Sequence, residues 1–93
     1  MIELFFFESE AEAIAAAHAL EKLGGRAKRL LAECIEHQSI IRKSVSEAAR
    51  ALENEGCIFI LEFDDLFDKS VEMKPSLWGE EAMEMLEFLN ADR

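Results

Sequence analysis

Tyrosine is absent from this 93-residue chain, proline occurs once, glycine four times and cysteine twice. Each shortage excludes something. With so little proline and glycine there is no flexible linker, no low-complexity tract and no domain boundary, so residues 1–93 read as one domain. Two cysteines in a short chain that opens Met1-Ile2-Glu3, without a basic leader region, argue against a disulfide scaffold. They fit a reducing, cytoplasmic setting. The longest uncharged apolar runs, Leu4–Phe7 and Cys57–Leu61, are strand-sized and fall far short of the ~18–20 residues a membrane span needs. Positive charge is scarce as well, with 10 basic against 20 acidic side chains and a formal charge of −10. A field of that sign opposes binding to nucleic acid or anionic lipid and speeds encounter with a basic partner.

What is present is a globular composition, 51% hydrophobic and 32% charged, too apolar for intrinsic disorder. The charge is unevenly spread. Residues 24–43 balance at +3, through Arg26, Lys28, Arg29, Arg42 and Lys43, whereas residues 57–93 balance at −7.

The pattern predicts strands at about 2–7 and 57–63, both apolar on nearly every position, the first expected in the middle of a sheet. It predicts helices at about 10–23, 44–55 and 76–90. Ser9-Glu10-Ala11-Glu12 and Ser44-Val45-Ser46-Glu47 read as capping boxes, Gly24-Gly25 and Gly56 as stops, and Pro75-Ser76 as the opening of the last helix. Asp64–Lys74 reads as an acidic connection. Residues 27–43 support two readings, a helix or a β-hairpin, the latter giving a ferredoxin-like β-α-β-β-α-β order. Either way the fold class is α/β (α+β), a small two-layer sandwich. Two strands alone make a poor sheet, so further strands must come from residues 27–43 or from a second chain, which would make a homodimer.

Candidate chemistry is sparse. Cys34 and His37 stand three apart, a spacing that shares a helix face and offers a weak metal pair. A buried structural cysteine is the plainer reading, and no metal or cofactor is expected. His18, in the alanine-rich first helix, reads as a boundary residue. Gly24-Gly25-Arg26-Ala27-Lys28-Arg29 offers a weak anion-binding cluster at Arg26, Lys28 and Arg29, but lacks the Lys-Ser/Thr ending of a phosphate-binding loop. Asp64-Asp65-Leu66-Phe67-Asp68 resembles the aspartate-rich string of prenyl-chain synthases, yet nothing else in the chain resembles those large helical enzymes. A solvated acidic loop accounts for it.

No catalytic triad, carboxylate pair or cofactor fingerprint points to an enzyme. The last helix stands out instead: Leu77, Trp78, Ala82, Met83, Met85, Leu86, Phe88 and Leu89 exceed the single stripe a sheet-packed helix needs. The sequence therefore points to a non-enzymatic, acidic protein-binding module, of the inhibitor or immunity type, that covers a basic protein surface. Trp78, Met85 and Leu89 would be its anchors, and Glu80, Glu84 and Glu87 its charged rim. A metal- or thiol-dependent protein using Cys34 and His37, and a small-anion sensor, are the alternatives.

Overall fold

Three of the four helix starts among the described residues follow from serine side chains that satisfy free backbone donors. In a computed structural model describing residues 4–64 and 69–91, helix α1 spans Glu10–Lys22, and the Ser9 hydroxyl accepts from the Glu12 N–H at 3.2 Å. The Glu12 carboxylate returns the favour one residue early, accepting from the Glu8 N–H at 3.2 Å. Gly24, at φ 94°, turns the chain directly into α2, Gly25–His37. That helix ends on Gln38, whose left-handed φ of 64° is held by its own side chain: Nε2 donates to the Ile35 carbonyl at 2.6 Å. A short strand β1, Ile40–Arg42, follows. Residues 27–43 thus contain no β-hairpin and no ferredoxin-like order: they form a helix to His37 and then a single strand that pairs with β3.

Helix α3 spans Glu47–Glu55. Its cap is Ser46, which accepts from the Ala49 N–H at 3.1 Å, so the helix starts two residues later than a Ser44 cap predicts. Strands β2, Ile58–Asp64, and β3, Lys69–Pro75, form an antiparallel hairpin, and α4 spans Leu77–Ala91. The stretch read as an acidic connection is therefore largely β3. It supplies the central strand of a three-stranded antiparallel sheet ordered β1-β3-β2.

The helices cover one face of this sheet: α2 lies against β3 and β1, and α3 against β2. Helix α4 packs on α1 and α2. Alanines explain the close α1–α4 approach, with Ala13, Ala16 and Ala17 buried beside Leu20. Leu31, Cys34, Leu52, Cys57, Met73 and Met85 complete one shared core.

The strand expected at 2–7 is not found among the described residues 4–7, and residues 2–3 lie outside them. The run Leu4–Phe7 bends at Phe5 and Phe6 and pairs with no strand. Its backbone donors go to a side chain instead. The N–H groups of Phe5, Phe6 and Phe7 all donate to the Glu81 carboxylate on α4, the shortest at 2.7 Å.

Candidate functional site

Four large apolar side chains lie on the sheet face that no helix covers. Side chains alternate along a strand, so Ile58 and Ile60 turn inward while Phe59, Leu61 and Phe63 turn outward. Cross-strand register puts Leu61 and Ile41 on either side of Glu72, Phe59 opposite Lys74, and Phe63 opposite Ser70. Phe59 is 61% exposed, Leu61 47%, Phe63 52% and Ile41 65%. Three of the four lie in a row along β2. The middle strand carries the polar stripe of this face, Ser70, Glu72 and Lys74.

β2 is also an edge strand, and its backbone geometry shows what that edge offers. The Ser76 N–H donates to the Cys57 carbonyl at 2.9 Å, which places this pair at a hydrogen-bonded position of the β2–β3 ladder. Such positions alternate in antiparallel pairs. Phe59, Leu61 and Phe63 therefore turn their backbone groups toward β3, and Ile58, Ile60, Glu62 and Asp64 turn theirs outward. Pro75 agrees with this count, because it stands opposite Ile58 where β3 has no N–H to give. Among the described residues no strand meets those outward groups. An edge of this kind, seven residues long and apolar beside its free side, is a template for another strand.

The residues singled out from sequence are scattered. Met85 is 1% exposed and belongs to the core, so it is not a docking anchor. Trp78 and Leu89 are half-buried, and Trp78 meets the Phe7 ring edge-to-face at 6.0 Å. Glu80 is half-buried and accepts from Gln38 Nε2 at 3.2 Å, while Glu84 and Glu87 are exposed on α4. Most of the apolar surface of the last helix is taken up by α1, α2 and the Leu4–Phe7 segment, while Leu77 and Phe88 stay exposed. Of the six residues named as anchors and rim, only Glu84 and Glu87 stand fully on the surface.

Cys34 is buried and His37 is exposed, so the pair does not converge. Among the described residues no three His, Cys, Asp or Glu side chains are grouped to hold a metal. Burial pushes the Cys34 thiol up to about 11, with the neighbouring Glu33 adding to the effect and Arg42 opposing it. The Cys57 thiol rises to about 12, again through burial first and Glu55 second. We expect both to alkylate slowly at pH 8 in the native protein and quickly in denaturant, measured by mass spectrometry. Rapid native modification of either would contradict their burial. Unfolded thiols ionise near 9.0, so these groups favour the fold below pH 9 and withdraw that support as pH rises toward 11 and 12.

In the basic segment Arg26 and Arg29 are exposed, and Lys28 is bound to Glu21 at 2.9 Å. They do not face one another around a cavity. A cleft of about 380 Å³ lies beside the hairpin end, where Lys43, Arg50 and Lys69 meet Glu62 and Asp64. Arg50 is already bridged to Glu53 at 3.0 Å and Glu62 at 2.9 Å. Asp64, the first residue of the aspartate-rich string, ends β2, and residues 65–68 lie outside the described ones. No helix among the described residues is long and apolar enough to cross a membrane.

Compared with protein-family models, with curated proteins and with solved structures, the chain matches none.

Proposed function

We propose that this chain is a non-enzymatic protein-interaction module that takes an extended protein segment along the free edge of β2. The observation that carries this reading is the row Phe59, Leu61 and Phe63, roughly half exposed, beside outward backbone groups at Ile58, Ile60, Glu62 and Asp64. Main-chain hydrogen bonds would give the affinity, and alternate apolar side chains laid against the row would give the specificity. The docking surface thus moves from the last helix to the sheet. The net charge of −10 still speeds encounter with segments that carry basic flanks, and the exposed Glu84 and Glu87 contribute to that field.

A synthetic strand peptide with alternating valine and lysine tests the reading by titration calorimetry. We expect binding in the micromolar range for the wild type and at least a tenfold loss in Leu61→Lys, whose half-exposed side chain can change without unfolding the domain. Equal affinity for a scrambled peptide of the same composition would reduce the effect to charge alone, and the reading would fail.

A further inference from the structure

The strand that occupies this edge is identified by β2 itself: we infer that two copies of the chain pair antiparallel through β2, with a two-fold axis at Leu61, into one six-stranded sheet. This rests on the reading of β2 as a docking edge and names its occupant. The first ground is a mismatch. β2 is apolar on both faces along most of its length, the pattern of a strand in the interior of a sheet, yet it lies at the margin. Pairing with a second copy gives the order β1-β3-β2-β2-β3-β1 and makes both copies of β2 central. The apolar row, off-centre in one chain, becomes the middle of the shared face, flanked by the two polar stripes of β3.

Register follows from the backbone. The outward groups belong to Ile58, Ile60, Glu62 and Asp64, so only alignments that place these opposite one another use them. Centred on Leu61, Ile60 meets Glu62 of the second copy and Ile58 meets Asp64. Every outward donor and acceptor then has a partner. At the closer, non-hydrogen-bonded positions Phe59 meets Phe63 and Leu61 meets its own copy, pairings of the kind that stabilise sheets. A shift by two residues in one direction sets Glu62 against Glu62, and in the other leaves Phe63 opposite Cys57. Charge also permits the centred alignment, because Glu62 is bridged to Arg50 in its own chain.

Area sets the strength. Phe59, Leu61 and Phe63 expose roughly 300 Å² of apolar surface per chain. Edge pairing covers the flanks of these side chains and leaves the sheet face open, so with the backbone edges added the interface stays below ~1,200 Å², in the transient class. The dissociation constant is then micromolar, and the two chains of like net charge associate more tightly as salt rises. A complex with a basic partner weakens instead.

Sedimentation velocity on the full chain, from about 1 μM to about 1 mM, tests this. We expect a monomer–dimer equilibrium that tightens several-fold between about 50 mM and about 500 mM sodium chloride. Leu61→Lys sets two like charges across the axis and should leave a folded monomer. Phe59→Lys and Phe63→Glu should each weaken the dimer at least tenfold, and the double variant should recover it, since each new charge meets its opposite only in the centred register. In the dimer the Ile60 and Glu62 amides should exchange slowly, and in the Leu61→Lys monomer quickly. A dimer with unprotected Ile60 and Glu62, or without recovery in the double variant, overturns the inference. So does a monomer at every concentration. In that last case the valine–lysine peptide separates the two ideas: binding keeps the strand-docking reading with a foreign occupant, and no binding ends both.

Discussion

Replacing Gly79 by alanine should destabilise the domain by about 3 kcal/mol or more, against the direction helix propensity dictates. Alanine is favoured over glycine inside a helix by roughly 1 kcal/mol, so a substitution in the first turn of α4 would ordinarily stabilise it. Here the helix start lies on the backbone of Cys57. A Cβ at residue 79 would stand 2.2 Å from the Cys57 carbonyl oxygen and 2.9 Å from its carbon. Neither atom is the end of a flexible side chain, so the chain itself must move, and cores resist such overpacking. The neighbourhood is tied at several points. Cys57 N–H donates to the Leu52 carbonyl at 2.8 Å, and its carbonyl accepts from Ser76 N–H. The Ser76 hydroxyl donates to the Gly56 carbonyl at 2.5 Å and accepts from Gly79 N–H at 2.9 Å. Displacing α4 therefore disturbs the end of α3, the start of β2 and the cap of α4 together. In thermal unfolding of a dilute sample, this loss corresponds to at least ~12 °C for a domain of this size. An unchanged or raised midpoint would show that α4 does not lie so close to Cys57.

This junction also marks how far the fold is legible in the residue pattern. Caps and stops are local, and Ser9, Gly56 and Pro75-Ser76 placed three helices to within a few residues. The class, mixed α/β with a small antiparallel sheet, follows from those elements and the apolar run at 57–63. Strand β3 was hidden because Lys69, Ser70, Glu72 and Lys74 put polar groups on its outward face, while only Val71 and Met73 turn to the core. Two buried residues in seven look like a loop until the partner strands are known. The opposite error arose at Leu4–Phe7, where an apolar run imitates a strand but its donors are met by a glutamate 74 to 76 residues away. No local rule reaches that distance.

The candidate site was legible only in part. The pattern correctly marked β2 as a two-faced apolar strand, and the conflict between that pattern and its edge position is what draws attention to it. The surplus on the last helix misled for a physical reason. A helix in a small domain can be covered on several sides, here by α1, α2 and the N-terminal segment, so width of the apolar surface does not measure what is left for a partner.

Glu81→Ala should release the N-terminal aromatic segment and cost about 2–4 kcal/mol. Glu81 is 2% exposed, a depth at which a carboxylate needs hydrogen bonds from every side. It obtains them from successive backbone donors, Phe5 at 3.0 Å to each oxygen, Phe6 at 2.7 Å and Phe7 at 3.4 Å, a nest that the backbone forms around it by bending at Phe5 and Phe6. Charge-assisted bonds are the stronger kind, and removing the acceptor also leaves the buried Phe7 donor unmet. Glu81→Gln should fall between, because it keeps one acceptor and turns an amide donor toward backbone donors. Trp78 is the single tryptophan and rests against Phe7, so its emission reports the segment directly. We expect a red shift in Glu81→Ala that precedes global unfolding, with faster exchange of the Phe6 and Phe7 amides. Removing residues 1–6 should reproduce most of that loss in the wild type and little further loss in Glu81→Ala, since both changes break the same contact. Fully additive losses, or a Trp78 spectrum unmoved by Glu81→Ala, would mean that the segment is held by its aromatic side chains and that the carboxylate is incidental.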